Sequence, residues 1–269
     1  MKNSTKTAWK SLPLKTAALC AVLPLALAGC VSTETEDSAD SVNTVKNGVL
    51  SVCTNTPYKP FEYEENGKVI GMDADIADAI AKDLGLDKAE LTSISFEALD
   101  SGSGLDAGQC DIALAGIGVT EARSSAMAFT TVYFEDNQAI LVSKSSSISS
   151  VEDLKGKKVG AQQATNGEEY AKNAGAEVTQ YEDTELMFAA LKTGQVQAVS
   201  ANLSVISEAI ANDSSFKIAF QTKDNAEQIA GAVSKSKPNL LSKVNASLEK
   251  LKNSGKLAEI QSKWIKTGV

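Results

Sequence analysis

The sequence predicts an α/β fold of two doubly wound lobes, each with a mainly parallel sheet. Apolar segments of strand length alternate with segments whose apolar residues recur every three or four positions, which is the pattern of parallel α/β sheets. This cycle occurs twice and is followed by a C-terminal return, which indicates two lobes connected by two crossings of the chain. The ~225 residues that follow the N-terminal segment are enough for two such lobes.

The first cycle begins with a buried strand at 49–54, which is followed by a helix at 73–84. Ile76, Ile80 and Leu84 recur at intervals of four in that helix, which places them on one face. The other predicted elements of this cycle are strand 91–95, helix 97–108, strand 111–116 and a helix from about residue 120. The run Ser101-Gly102-Ser103-Gly104 is expected to loosen helix 97–108.

The second cycle begins with a short apolar strand at 139–143. Its other predicted elements are strands 158–161, 177–181, 196–200 and 216–220, a helix from 166, and helices 184–192 and 203–211. A strand-like segment at 229–233 then precedes two C-terminal helices, 239–252 and 256–265. We therefore expect the first lobe to comprise 46–137 plus 229–269, and the second lobe to comprise 138–228.

The N-terminus predicts an export signal at 1–29. Four lysines precede an apolar stretch at 16–28, which is shorter than the ~20 apolar residues that span a bilayer. The stretch ends in Leu27-Ala28-Gly29-Cys30, which resembles the bacterial lipobox. This resemblance implies cleavage before Cys30 and diacylglyceryl transfer to its thiol, with the polar segment 30–45 as a flexible tether to the cell membrane. The alternative is a soluble secreted protein that is cut nearby.

Composition narrows the classes of function. Removal of residues 1–29 takes away four lysines and no acid, so the formal charge changes from −8 to −12, which argues against nucleic acid as a partner. The chain contains no histidine, which excludes Ser-His-Asp and Cys-His catalysis and the commonest zinc ligand. We therefore expect a binding protein and not an enzyme, without a cofactor or a metal.

The cysteines leave two alternatives open. Cys20 is removed with the signal peptide and Cys30 is lipidated, so Cys53 and Cys110 remain in the folded protein. Outside the cytoplasm such a pair is a candidate disulfide. The other possibility is two buried thiols whose strands hold them too far apart to bond.

Arginine occurs once, among 25 lysines, at Arg123. A guanidinium binds a carboxylate through two parallel hydrogen bonds, whereas an ammonium acts as a point charge. Arg123 is therefore a candidate carboxylate-binding residue. The alternative, which composition alone favours, is an ordinary surface ion pair that contributes little to stability.

The order of short motifs resembles one family: the solute-binding proteins of bacterial polar amino-acid ABC importers. The resemblance covers about residues 48–268. The motifs are CTNTPYKPFEY (53–63), GMDADI (71–76), FEAL (96–99), GQCD (108–111), GVTEAR (118–123), DLKGKKVG (153–160), TNGEEYA (165–171) and IQSKW (260–264). It implies a periplasmic-binding-protein-like fold of type II, in which two lobes joined by two hinge strands close around a ligand. It also implies a monomer that delivers the ligand to an ABC permease with its ATPase.

The resemblance assigns a ligand site to twelve positions. They are Asn55, Tyr58, Phe96, Ala115, Gly116, Gly118, Arg123, Gln162, Thr165, Asn166, Gly167 and Asn202. Arg123 matches the residue that holds the ligand's α-carboxylate.

Three further positions have both a ligand-binding and a structural interpretation. Thr165, with the backbone amides that follow it, is a second candidate anion contact, although Thr165 and Glu168 also form an ordinary capping box. Tyr58 and Phe96 match the aromatic residues that enclose the ligand's side chain, and the alternative for both is packing in the core.

Four positions depart from the family's pattern. Asn202 and Asn55 stand where acids usually or often pair with the ligand's ammonium, Gly118 replaces a hydroxyl residue, and Ala164 stands where glycine is common. A buried ammonium without a charged partner is unfavourable by several kcal/mol. We therefore expect an amino acid or a derivative whose ammonium is masked or absent, and expect Asn202→Asp to improve binding of ordinary amino acids.

Three acids elsewhere in the sequence are candidates for the missing charge: Glu121, Glu182 and Asp183. Two other classes of function also remain open. One is a sensor lipoprotein that binds a ligand without transport, and the other is a dehydratase-type enzyme on the same fold.

Overall fold

The structure is a computed structural model that describes residues 42–224 and 226–266. The predicted signal peptide and the predicted lipidation site Cys30 lie outside the described residues. Among the helices that are described, none combines the length and the apolar character that a membrane crossing requires.

A five-stranded sheet organises the first lobe. Its strands in spatial order are β4 (Lys88–Ser93), β1 (Val49–Thr54), β5 (Ile112–Ala113), β14 (Ala232–Val233) and β6 (Ala128–Phe129). Strand β1 is parallel to β4 and β5, whereas β14 is antiparallel to β5 and β6. A hairpin of β2 (Tyr63–Glu65) and β3 (Lys68–Ile70) follows β1 in the chain.

A second five-stranded sheet organises the other lobe. Its strands in spatial order are β10 (Glu177–Tyr181), β9 (Lys158–Gln162), β11 (Ala198–Asn202), β8 (Gln138–Ser143) and β12 (Phe216–Gln221). Strand β9 is parallel to β10 and β11, and β8 is antiparallel to β11 and β12.

A two-stranded ribbon lies where the chain passes between the two sheets. Strand β7 (Phe134–Asp136) leads from the first sheet to the second, and β13 (Glu227–Ile229) leads back and pairs antiparallel with it. The lobe boundaries expected at 137/138 and 228/229 stay predictions, and both positions lie at this ribbon.

Helices cover the sheets, because their apolar faces need a partner to bury. They are α1 (Met72–Asp83), α2 (Phe96–Asp100), α3 (Ser103–Asp106), α4 (Glu121–Ala126), α5 (Asn166–Asn173), α6 (Thr184–Lys192), α7 (Leu203–Asn212), α8 (Pro238–Asn253) and α9 (Lys256–Trp264), with a 3-10 turn at Glu152–Leu154. Ile76 and Ile80 of α1 are fully buried on one face, as the periodicity predicts.

Three predicted elements are divided or shortened in the structure, and the strands predicted at 91–95 and 196–200 are displaced to Lys88–Ser93 and Ala198–Asn202. The helix predicted at 97–108 is two short helices, because Gly102 adopts a left-handed φ of 73° between them. The strand predicted at 111–116 pairs only at Ile112–Ala113, and its end at Gly116 has a φ of 56°. The segment 229–233 is divided between the end of β13 and the separate strand β14.

The structure contains a disulfide between Cys53 and Cys110, one of the two alternatives that the sequence left open. Cys53 lies in β1 and Cys110 lies just before the neighbouring strand β5, with 5.6 Å between the two Cα atoms. Both residues are buried. The bond ties strand β1 of the first sheet to the segment that leads into its neighbour β5.

Candidate functional site

Polar residues at the carboxyl ends of parallel strands from both sheets meet in a cleft. This is where α/β folds place their ligands. Asn55 directly follows β1, whereas Gln162 and Asn202 end β9 and β11 of the other sheet. Gln162 Nε2 donates to Asn55 Oδ1 at 2.7 Å, and Tyr58 Oη donates to Asn202 Oδ1 at 2.5 Å. The two halves of the predicted site are therefore in direct contact.

Arg123 is buried at the junction of the lobes and is not a surface ion pair. It lies in the first turn of α4, where the hydroxyl of Thr120 caps the helix by accepting from the Arg123 backbone N–H. Its side chain is 4% exposed. Nε donates to Asp100 Oδ1 at 2.7 Å, Nη1 donates to the Gly118 carbonyl at 2.8 Å, and Nη2 donates to the Ala164 carbonyl of the other lobe at 2.9 Å.

A guanidinium has five N–H groups in a planar fork. Three of those on Arg123 are used, and within residues 42–224 and 226–266 its remaining two, one on each terminal nitrogen, have no hydrogen-bond acceptor. The guanidinium carbon also lies 5.4 Å from the centroid of the Phe96 ring. Arg123 is thus held in place while one N–H on each of Nη1 and Nη2 is left for a ligand.

The loop before α5 has mainly structural contacts. The Thr165 hydroxyl donates to the Gln162 carbonyl at 2.7 Å and accepts from the Glu168 N–H at 3.3 Å, so the capping interpretation of Thr165 holds. Glu168 accepts in turn from the N–H of Ala164, a residue with a left-handed φ of 61°. Gly167 must remain small, because a Cβ there would lie 2.8 Å from the Ser200 carbonyl.

The two aromatic rings contact protein groups in this structure. Tyr58 stacks on Phe61 with 5.6 Å between ring centroids, and Phe96 lies against Arg123. Both residues are 7% exposed. Their role in enclosing a ligand side chain stays a prediction. Ala115 belongs to the buried cluster of Phe96 and has no polar contact with the cleft.

The main residue that sequence reasoning missed is Glu227. It begins β13 in the ribbon between the sheets, and its carboxylate accepts from Gln138 Nε2 at 2.6 Å, Asn166 Nδ2 at 2.5 Å and Asn202 Nδ2 at 2.9 Å. Burial is the largest influence on its carboxyl group and raises its pKa. The acids at 55 and 202 are absent, but an acid from another position, Glu227, lies in the cleft.

None of the three substitutes proposed from the sequence contacts this cluster. Glu121 is exposed in the first turn of α4, and Glu182 is exposed with its carbonyl accepting from Gln162. Asp183 caps α6 by accepting from the Leu186 N–H at 2.8 Å. The only sequence signal for Glu227 was its place in the predicted second crossing.

Two buried acids lie behind the cleft. Asp73 accepts from the Gly116 N–H at 2.7 Å and from Tyr133 Oη at 2.8 Å, and both Asp73 and Glu62 are 0% exposed. Burial raises the pKa of Asp73 to about 6. Burial and the neighbouring Asp73 charge raise the pKa of Glu62 well above its usual range. Gly116 is packed against Tyr58, since a Cβ on it would lie 2.9 Å from that ring.

Comparison with known proteins gives consistent results. A sequence profile of the bacterial extracellular solute-binding proteins, family 3, matches residues 50–267. The ABC transporter glutamine-binding protein GlnH of Bacillus subtilis (strain 168) is 32% identical over 269 residues, which cover 96% of this chain and 97% of GlnH.

Solved structures show the same likeness. An ancestral arginine-binding protein bound to arginine has a TM-score of 0.75 at 37% identity, covering 81% of this chain and 99% of that chain. The ancestral amino acid-binding protein AncCDT-1, a precursor of cyclohexadienyl dehydratase, has a TM-score of 0.74 at 30% identity, covering 81% of this chain and 96% of that chain. The similarity thus extends over most of the described residues.

Proposed function

Because this chain belongs to the bacterial extracellular solute-binding proteins of family 3, we propose that it captures an amino acid between its two lobes and delivers it to the permease of an ABC importer. It is an amino-acid-binding protein of the ABC importer type, as are its relatives. Lipid on Cys30 anchors it to the outer face of the cell membrane in this proposal.

The arrangement of Arg123 is the observation that supports this function best. A ligand favours closure only through contacts that are stronger in the closed state. Arg123 belongs to the first lobe and donates to Ala164 of the second, so a carboxylate that binds its two remaining N–H groups lies at the junction of both lobes. Bidentate binding of this kind is specific for a planar anion.

The names of the relatives indicate which amino acids to test first. GlnH is a glutamine-binding protein, and the ancestral protein was solved with arginine. We propose that L-glutamine, L-arginine or a close analogue is the ligand. The buried polar amides of Asn55 and Gln162 in the cleft suit the polar side chains of both.

The experiment is a thermal-shift and calorimetric screen of both amino acids against the wild type and Arg123→Lys. A ligand at a hundred times its Kd stabilises by about 2.7 kcal/mol, which corresponds to about 5–10 °C for a domain of this size. Arg123→Lys keeps the charge but loses the fork, so we expect affinity to fall about 10- to 100-fold, the value of one charge-assisted hydrogen bond.

Asp100→Asn is the matched control for this variant. Asp100 binds only Nε of Arg123 and its side chain is 38% exposed, so its removal leaves the other four N–H groups in place. Affinity should stay within about threefold of the wild type, as expected for loss of an exposed ion pair. Equal affinity of wild type and Arg123→Lys for a bound amino acid would show that Arg123 is not the carboxylate anchor.

Anchoring and transport need separate tests. In cells, Cys30→Ala should release the protein from the membrane fraction, and deletion of the gene should abolish uptake of the labelled amino acid. Membrane association of Cys30→Ala would contradict the anchor, and normal uptake without the gene would favour a sensor.

A dehydratase-type enzyme is the second candidate, because AncCDT-1 is described as the precursor of such an enzyme. Turnover of prephenate or arogenate by the purified protein is the test. We expect none, since Glu227 is held by three amide side chains in the cleft.

A further inference from the structure

The Glu227 carboxylate is fixed in the cleft by three amide groups. Gln138, Asn166 and Asn202 all belong to the second lobe, and each donates one N–H to it. An ionised carboxylate only accepts hydrogen bonds, which determines that the nitrogen of each amide faces it. These three hydrogen bonds fix the position of the carboxylate without a ligand, so the acid is preorganised for binding.

The Glu227 carboxylate has one hydrogen-bond acceptor position that is not used. Its two oxygens together accept about four hydrogen bonds, of which three are filled: two at Oε2 and one at Oε1. Oε1 is the oxygen nearest to a Cβ built on Gly118. The open acceptor position is therefore on Oε1, the oxygen on the side of Gly118.

Two further buried acceptors in the cleft lack donors among the residues that the structure describes. They are Gln138 Oε1 and Gln162 Oε1, which belong to residues that are only 9% and 3% exposed. Their orientations are determined, since Gln138 Nε2 faces Glu227 and Gln162 Nε2 faces the Asn55 and Glu182 oxygens. A buried acceptor without a partner costs about 1–3 kcal/mol. The cleft is thus arranged for a ligand that supplies N–H donors.

The neighbouring residues are adapted to this acid. A Cβ at Gly118 would overlap the Glu227 carboxylate, so a hydroxyl residue at 118 is incompatible with this arrangement. Asn202 donates to Glu227 and accepts from Tyr58, and an aspartate at that position would have no N–H to donate. Glycine at 118 and asparagine at 202, which both depart from the family's pattern, are therefore the residues that accommodate the carboxylate of Glu227.

The negative charge of Glu227 has no direct cationic partner. Within the part of the chain that the structure describes, no Lys or Arg nitrogen forms an ion pair with it at 4.0 Å or less. Burial keeps the pKa of Glu227 raised, because it outweighs the attraction of Arg123, which lowers this pKa from a distance. A cation that reaches the carboxylate directly recovers much of the cost of its burial.

We propose that Glu227, carried by the ribbon between the lobes, is the residue that binds the ligand's protonated nitrogen, so that the cleft selects amino acids with a free cationic amine. This inference rests on the proposed function and specifies its substrate class. It replaces the expectation, drawn from Asn55 and Asn202, of a ligand whose ammonium is masked or absent.

The experiment compares four probes by calorimetry: L-glutamine, N-acetyl-L-glutamine, L-arginine and N-acetyl-L-arginine. In the wild type, acetylation of glutamine should weaken binding at least about 100-fold, and in Glu227→Gln this ratio should fall by about tenfold or more. Arginine distinguishes its two cationic groups as partners of Glu227. If Glu227 binds the guanidinium instead of the α-amine, acetylation of the α-amine of arginine will be tolerated.

Two further variants complete the design. Glu135→Gln is the matched control, because Glu135 is an exposed acid on the partner strand of the same ribbon, and its ratio should equal that of the wild type. Asn202→Asp combined with Glu227→Gln returns the charge to the cleft from β11 and should restore the ratio. This double variant also tests the proposal if Glu227→Gln alone folds poorly.

The outcomes separate this inference from the function on which it rests. An unchanged acetylation ratio in Glu227→Gln, or tighter binding of both glutamine probes, overturns the role of Glu227. Tighter binding would show that its carboxylate occupies the place of the ligand. Failure of the wild type to bind any of the four probes would overturn the proposed function, and this inference with it.

Discussion

Replacement of Asn202 by aspartate should destabilise the protein, contrary to the expectation from the sequence. Asn202 Nδ2 lies 2.9 Å from Glu227 Oε2, so Asn202→Asp substitutes a carboxylate oxygen for a hydrogen-bond donor at that distance. The contact with Tyr58 is retained, since Tyr58 donates to the oxygen that both side chains share. The effect therefore isolates one new contact between like charges.

The magnitude follows from the distance and from proton uptake. At an effective dielectric constant of about 20, two charges about 3 Å apart repel by about 5 kcal/mol. Protonation of one carboxyl relieves this repulsion, and at about pH 7.5 it costs about 4–5 kcal/mol, at 1.36 kcal/mol per pH unit above its usual pKa. We expect a loss of about 3–5 kcal/mol in the free energy of unfolding at this pH, and of about 1–2 kcal/mol at about pH 5.

Thermal and urea unfolding of the ligand-free protein at both pH values measure this effect. The loss at about pH 7.5 corresponds to about 6–20 °C for a domain of this size. Asn212→Asp is the control, because Asn212 donates to Glu208 Oε1 at 3.1 Å on the exposed surface, where a like-charge pair is screened. Glu227→Gln should rescue Asn202→Asp. Wild-type stability of Asn202→Asp at about pH 7.5, or no rescue, would refute the reasoning.

Three further outcomes are expected. Reduction of the Cys53–Cys110 disulfide, which spans 57 residues, should lower the free energy of unfolding by about 4 kcal/mol in the chain-entropy estimate. Urea unfolding with and without reductant measures this loss, and a value below about 1 kcal/mol would contradict the expectation. Burial raises the pKa of Asp73 to about 6, so between about pH 4 and 6 the native state binds a proton that the unfolded state releases. The contribution of Asp73 to stability is therefore full below about pH 4 and is lost as pH rises through about 6. Asp73→Asn should flatten that part of the pH profile of the unfolding temperature, and an unchanged slope would contradict this. Ala164→Gly should raise stability by up to about 1 kcal/mol, since Ala164 has a φ of 61°; a loss of stability would show that the loop is not strained.

Elements with a long, regular pattern were predictable from the sequence. The spacing of Ile76 and Ile80 identified α1, and the apolar run of β1 identified a buried strand with the bounds that the structure has, Val49–Thr54. Strands of two or three residues, such as β6, β7 and β14, were missed or misplaced. Their identity depends on pairing with distant segments, and so few residues carry no periodicity.

The location of the cleft followed from the family resemblance, which assigned Asn55, Gln162 and Asn202 to the ligand site. In the structure these residues lie at the carboxyl ends of strands, where α/β folds place their ligands, and Gln162 contacts Asn55 while Asn202 contacts Tyr58. The resemblance identified Arg123, whose burial and contact with both lobes only the structure shows.

By itself, the sequence determined the family, the two-lobed α/β class, the single arginine and the loss of acids at 55 and 202. The tertiary structure decided where the compensating charge lies. Glu227 reaches Asn166 and Asn202 because the second crossing pairs with β7 beside the cleft, and because Gly118 leaves room for its carboxylate. Residues 118 and 227 are far apart in the chain and share no local pattern. Their contact results from the return of the chain between the lobes, which no spacing in the sequence encodes.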